Sequence, residues 1–527
     1  MYSKTINLLI RLFKILSKER KESFYRLIPI AIITGLVNVL VVGLVSRLFV
    51  IVVQKENRPS IPFSEFISTD PFTKLIIIVL IYIIFNWLAS FLKLYLKAFQ
   101  EKLKAGIFID LSKNIQKKVF HQKYEFFLTD KSEDISSKIL LNISRVADNF
   151  IGPILEIISG FFIIIFIFLA IFSFAKINAF ILIISLVVGY TLISLSVTPF
   201  IRAATRQKII LENEINKVIK ESMKTIIDVH LTGSEKYFEN SYSKASKKAL
   251  PYLWKSQTFP EFPRSLVEPF GITLIFAIGL FPYFSDRDPS TLLEIIPFLA
   301  TIAVASLKLT PPLQDFFKGI TALRGGIPDL EEALKILELP NSRNYSAIRK
   351  KSKLKIPKNY IQIYNLSYKY PFKNKYALKN INLIIKTGSK IAIVGKTGSG
   401  KSTFANQIIG LLRPTKGKIL LDGKELKNSQ ISSWQSICSY VPQTINLLNS
   451  DIRTNIAYGL NNAEIDNARV WDAIVAAQLE ELINSLPEGL NTHLGENGIR
   501  LSGGQRQRIA IAKAFYRNSS LLVLDEA

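Results

Sequence analysis

Apolar residues in this chain are gathered into six stretches, at about 27–53, 74–96, 151–174, 179–199, 267–284 and 292–309. Roughly 20 apolar residues in helical form cross a bilayer, and each stretch is near or above that length. The heart of the second, IIIVLIYIIFNWLASF, has no charged residue. The pattern predicts an all-α polytopic domain with short loops after the first, third and fifth spans. The segments after the second and fourth are much longer. They keep helical spacing and carry many charges, as in RAATRQKIILENEINKVIKESMK, and predict spanning helices that continue well into water.

Near Asn341 the pattern changes. NSRNYSAIRKKSKLKIPKN is polar, basic and without period, and reads as a linker over 341–357 between a transmembrane domain, 1–340, and a second domain, 358–527. YIQIYNLSYKY and ALKNINLIIK alternate as strands do. From there strands and helices alternate to the end, which predicts a soluble α/β domain.

Composition agrees: 49% of residues are apolar and the mean hydropathy is +0.25. The net charge of +26 admits two explanations, nucleic acid or cytoplasmic loops of a membrane protein, which differ in where the charge sits. Lys4, Arg11, Lys14, Lys18, Arg20, Lys21 and Arg26 precede the first span. Arg202, Arg206, Lys208, Lys217, Lys220 and Lys224 sit in the second long segment, while the outer loops hold only a few, such as Lys55, Arg58 and Arg287. The charge is therefore topological. It puts the N-terminus, both long segments and the α/β domain in the cytoplasm, with the bilayer as partner and no nucleic acid. Cys438 is the single cysteine, so no internal disulfide forms, and it reads as a small buried apolar residue. The amphipathic start, MYSKTINLLIRLFKILSKERK, shows no cleavage site. His121, His230 and His493 lack metal-ligand spacing. Arg47, Lys93 and Lys308 lie in or near span ends. They either snorkel to an interface or line a basic cavity for an anionic headgroup.

KIAIVGKTGSGKST, Lys390–Thr403, reads as a strand, a glycine-rich loop and a helix start, and fits G-x-x-x-x-G-K-[ST]. Gly395, Lys396, Thr397, Gly398, Ser399 and Gly400 form the loop. Its backbone N–H groups turn toward phosphate oxygens and the helix N-terminus adds its positive end, while Lys401 reaches the β and γ phosphates of ATP. The Ser402 hydroxyl ligates Mg²⁺, with Thr403 following it. LLVLDEA, Leu521–Ala527, reads as a second strand beside the first. It delivers Asp525 to the metal and Glu526 to the attacking water as general base. LSGGQ places Ser502, Gly503, Gly504 and Gln505 at a glycine turn opening a helix, a second anion site by geometry.

LSGGQ, with the P-loop and the acidic strand, resembles the nucleotide-binding domain of ABC transporters from about Tyr360 to Ala527. The resemblance implies that Gln443, in YVPQ, is the residue that senses the γ-phosphate and metal. It implies that Tyr370, in SYKYP, stacks on adenine, and that THLGENG, Thr492–Gly498, contacts the membrane domain. The membrane half resembles the exporters with six spans ahead of the ATPase. HQKYEFFLTDKSEDISSKI and KESMKTIIDVHLTGSEKYFENSYSKA are similar to their two coupling regions and to bacterial flippases for lipid-linked oligosaccharides. The resemblance implies a half-transporter that pairs with a second one, identical or different, and moves an amphipathic, lipid-linked substrate. In it, the LSGGQ of one chain closes over the ATP held by the other. The six spans exclude an ABC ATPase of DNA repair, and the lack of any cysteine before Cys438 excludes a fused peptidase. The family's D-loop and γ-phosphate histidine have no counterpart before Ala527. This gap supports two alternative expectations: that LLVLDEA is a cut edge whose 527-residue form turns over little ATP, or that the chain is a catalytically incompetent partner subunit.

Overall fold

The computed structural model describes residues 2–53, 71–129, 143–262, 289–340, 356–371 and 373–525, with short helical fragments between 265 and 277. Two compact units emerge, Met1–Gln116 with Ser136–Glu338, and Lys117–Ile135 with Leu339–Ala527. Linker residues 341–355 and most of the expected fifth span lie outside the described residues.

Long helices build the first unit. After α1, Tyr2–Ile15, come α2, Lys18–Val53, and α3, Pro71–Phe120. The short α4, Tyr124–Thr129, belongs to the second unit. A π-helical turn, Ala147–Ile151, leads into α5, Gly152–Lys224. Then come α6, Ile226–Thr232, α7, Glu235–Thr258, and α8, Pro289–Leu337. Among the described residues, Lys18–Leu48, Leu75–Phe120 and Ile143–Ala170 are long and apolar enough to span a bilayer. In α3, Ile84, Trp87, Phe91 and Leu94 are exposed, as apolar side chains are when lipid is the solvent.

The expected third and fourth spans do not come as two helices: both lie within the 73 residues of α5. The connecting residues, SFAKINAF, contain no glycine or proline, so nothing local ends the helix there. Where α5 does end, the Thr225 backbone leaves helical geometry, with φ −107° and ψ 26°, while its N–H still donates to Glu221 O at 3.1 Å. The seven-residue α6 then stops at Gly233, whose φ of 63° suits a residue without a Cβ.

Helices α5 and α8 pack through glycines. A Cβ on Gly160 would stand 3.1 Å from Pro312 O. One on Gly319 would meet Ile157 Cγ1 at 2.7 Å, and one on Gly326 would meet Asn149 O at 2.6 Å. Missing side chains let the two backbones approach, as in membrane helix pairs generally. Ion pairs tie the polar ends of the helices. Arg20 contacts Asp110 at 3.1 Å, Lys104 Asp148 at 3.3 Å and Arg145 Glu212 at 3.6 Å. Arg11 of α1 pairs with Glu338 just beyond α8, while Leu8 and Leu12 are buried.

In the second unit, β1, Tyr360–Tyr368, lies between β2, Leu378–Lys386, and β3, Lys416–Leu421, all antiparallel, with the short β4, Lys424–Glu425, at the edge beside β3. Helix α9, Lys401–Ile408, and α10, Ile431–Ser436, cover its apolar face. There Ile363, Leu366, Phe404, Ile408 and Trp434 form a core. Leu128 of α4 packs against the same core. A separate parallel pair joins β5, Cys438–Val441, to β6, Leu521–Leu524, in register from Cys438↔Leu521 to Val441↔Leu524. A helical lobe holds α11, Ile452–Ile456, α12, Asn467–Ala476, α13, Glu480–Ser485, and α14, Gly503–Tyr516. It is centred on Ile456, Val470, Ile474 and Ile509.

Trp434 joins much of the sheet-side core. It is buried and its indole N–H donates to Ile408 O at 2.7 Å. Trp434→Ala is expected to destabilise this unit by about 3–5 kcal/mol, read as a lower denaturant midpoint.

One expected strand is not formed. Lys390–Val394, ahead of the glycine loop, has no ladder partner among the described residues, and Val394 is 92% exposed. Strand β6, expected beside it, hydrogen-bonds to β5 instead. The segment keeps a strand's composition without the pairing that makes one.

Candidate functional site

The glycine loop is shaped by its backbone. Gly398 and Gly400 have φ of 81° and 99°. A Cβ on Gly400 would also meet Ala377 O at 2.8 Å, so this position is closed to any side chain. Ser399 N donates to Lys396 O at 3.1 Å, closing the turn, and Gly400 caps α9, with Phe404 N donating to its carbonyl at 2.9 Å. Gly395, Lys396, Thr397 and Ser399 line the exposed loop. The Lys401 amine arches back over it and donates to Gly395 O at 2.8 Å and Lys396 O at 3.3 Å.

Two expected site residues, 123 positions apart in the chain, meet here: the Ser402 hydroxyl donates to Asp525 Oδ1 at 3.2 Å. Among the described residues no lysine or arginine pairs with Asp525. A hydroxyl beside an un-neutralised carboxylate is a hard oxygen donor set that suits Mg²⁺. No cluster of three His, Cys, Asp or Glu side chains occurs among the described residues. Thr403 is buried and its hydroxyl is 3.0 Å from Tyr370 OH. The Tyr370 ring stands edge-on to Tyr368, centroids 4.9 Å apart, with Lys373 over its face. Gln443 follows β5 by two residues, at the sheet edge where Asp525 follows β6. Glu526 lies outside the described residues.

Ser502 caps α14. Its hydroxyl accepts from Gln505 N at 3.2 Å while Gln505 Oε1 accepts from Ser502 N at 2.8 Å. A Cβ on Gly503 or Gly504 would meet nothing within 4 Å among the described residues. Alanine would favour the helix by up to about 1 kcal/mol at such a position, so local structure gives no reason for either glycine. Thr492–Gly498 ends in a 3₁₀ turn, Glu496–Gly498, with φ of 72° at Gly495 and 70° at Gly498.

Sequence reasoning passed over Tyr440, whose phenol donates to Asp525 Oδ2 at 2.9 Å. Burial and the adjacent carboxylate hold that phenol above its ordinary range, so it stays a donor.

The first unit contains a partly open cavity of about 480 Å³ lined by α2, α3, α5 and α8. Thr34, Asn38, Lys93, Lys97, Gln100, Glu156, Ser159, Lys308 and Asp315 bring polar groups to it. Lys97 pairs with Glu156 at 2.7 Å and Lys308 donates to Asn86 Oδ1 at 2.8 Å. Lys93 and Lys308 have no carboxylate within salt-bridge distance among the described residues. Arg47 is not among the lining residues.

Comparison with known proteins gives a consistent result. The family model for the ABC transporter transmembrane region matches residues 27–317, and a second, described as ABC transporter, matches residues 378–527. The chain is 27% identical over 451 residues to the ATP-dependent lipid A-core flippase of Pseudomonas aeruginosa, covering 85% of this chain and 72% of that protein. It is 33% identical over 262 residues to the protein of the same name from Yersinia pestis, covering 50% of this chain and 43% of that one. Its fold matches a solved bacterial Atm1-family ABC exporter with ATP bound, with a TM-score of 0.77 and 21% identity, covering 95% of this chain and 85% of the other.

Proposed function

The chain belongs to the ABC transporter family, and from that premise we propose that it is a half-size exporter that moves an amphipathic, anionic, lipid-linked substrate outward across the cytoplasmic membrane. It is a multi-pass membrane protein whose ATP hydrolysis is coupled to transport. The observation that carries the reading is the meeting of Ser402 with Asp525, which joins the phosphate loop to an acidic strand end.

Loop residues Gly395–Gly400 hold the phosphates, Lys401 exchanges its carbonyl partners for β and γ oxygens, and Tyr370 offers its ring to adenine. Ser402, Asp525 and Gln443 would hold Mg²⁺, which would neutralise charge on the phosphates. Glu526 takes a proton from the attacking water. Ser502, Gly503, Gly504 and Gln505 present an open helix start to the nucleotide of a second copy. This accounts for two glycines that no neighbour among the described residues requires. Ile227 and Leu231 of α6, one turn apart and exposed, favour the same arrangement, since such a face on a cytoplasmic helix suits a partner. Closure of two copies over ATP, and release after hydrolysis, drives the helices between inward and outward access, with the N-terminus and ATPase domain in the cytoplasm.

The cargo reading is supported by the names of the flippase relatives and by Lys93 and Lys308 at the cavity. In proteoliposomes, anionic polyisoprenyl-linked sugars are expected to stimulate ATPase activity. In Lys93→Gln/Lys308→Gln the half-stimulating concentration should rise about tenfold, equivalent to ~1.4 kcal/mol. Stimulation by neutral hydrophobic drugs alone, or an unshifted response in the double variant, refutes the cargo assignment.

A further inference from the structure

We propose that Tyr440 is a positioning residue that holds the Asp525 carboxylate in the orientation needed for the metal–nucleotide site. The inference rests on the Mg-ATP reading of that site and concerns a residue the reading does not use.

Strand register makes the contact possible. Tyr440 on β5 lies opposite Val523 on β6. Asp525 is two residues beyond Val523, so its side chain leaves the strand direction on the same face. A long side chain at 440 reaches that diagonal position, and a short one cannot. The two hydroxyl contacts then fall on different oxygens of one carboxylate: Ser402 Oγ on Oδ1 at 3.2 Å and Tyr440 OH on Oδ2 at 2.9 Å. The backbone is held as well, because Asp525 N donates to Val441 O at 3.0 Å. With one oxygen engaged by the phenol, the carboxylate cannot turn, and Oδ1 stays directed at Ser402.

The phenol is itself held. Its ring packs in the sheet-side core together with Leu521, Val523 and Leu128 of α4. Donors that orient a metal-binding carboxylate are an outer layer of the site, and their loss commonly weakens metal binding 10- to 100-fold.

The test uses the full chain in nanodiscs, a fluorescent ATP analogue, and Mn²⁺ in place of Mg²⁺ so that bound metal is read by electron paramagnetic resonance. Tyr440→Phe removes only the hydroxyl. It is expected to raise the Mn²⁺ concentration at half-saturation about tenfold, with nucleotide binding in EDTA unchanged and wild-type affinity restored at high metal. Tyr440→Leu should show the same metal shift and, in addition, a lower melting temperature from the lost ring. If Tyr440→Phe titrates as wild type does, or only Tyr440→Leu shifts, the hydroxyl does not position Asp525 and the inference fails while the site assignment stands. If nucleotide binding by the wild-type protein is indifferent to metal, the Mg-ATP reading fails and the inference with it.

Discussion

Replacing Lys401 with alanine is expected to lower ATP turnover by about 100- to 1000-fold, the range for losing one preorganised charge at a reacting centre. Carbonyl oxygens of Gly395 and Lys396 are the amine's present partners. They are neutral dipoles, and the negatively charged oxygens of a phosphate are stronger acceptors for a compact ammonium. The amine already lies over the loop, so its proposed transfer to the nucleotide needs no large rearrangement. Its contacts are local, so the variant should fold and melt as the parent does. Phosphate release from the purified transporter measures the effect, and turnover equal to the parent would remove the phosphate-loop assignment.

Glu526→Gln is expected to separate binding from chemistry. The amide keeps the shape of the side chain and loses its basicity, so nucleotide should bind as before while hydrolysis falls by about 100- to 10,000-fold. Unable to hydrolyse, the paired domains should stay closed on ATP. Nucleotide retained through desalting, together with a persistent dimer, is the expected observation. Normal phosphate release would move the general base elsewhere. The two variants fail differently: the first loses a contact with the substrate, the second only the proton acceptor.

Much of this was legible in the sequence because the informative residues stand at fixed offsets within one element. The phosphate loop and the Ser502–Gln505 cap depend on residues a few positions apart, and local spacing carries them. The same is not true of Lys390–Val394. Its alternation is that of a strand, but a strand also needs a neighbour, and the neighbour is a property of the whole sheet. Nor could spacing foresee that α5 runs through SFAKINAF, since an uninterrupted helix and two helices with a tight connection share the same apolar runs. Tyr440 sits three residues before Gln443 in a motif noticed for its glutamine. Its contact with Asp525 depends on the β5–β6 register, which the sequence does not state. Likewise Arg47, Lys93 and Lys308 look alike as charges near span ends. Only packing separates the two that line a cavity from the one that does not.

The glycine seam between α5 and α8 has a mechanical consequence. Gly160 and Gly319 bring the α5 and α8 backbones close, since a Cβ would stand 3.1 Å from Pro312 O at the first and 3.0 Å from Pro153 O at the second, so the two helices are expected to move together. Glu156, Ser159 and Lys308 of the cavity ride on that pair, whereas Thr34, Asn38, Lys93 and Lys97 ride on α2 and α3. If the proposed transport reading holds, the width of this cavity is expected to change by movement of α2 and α3 against α5 and α8. On the proposed transport reading, the separation of Lys93 and Lys308, which stand on different walls, is expected to change as the cavity changes width.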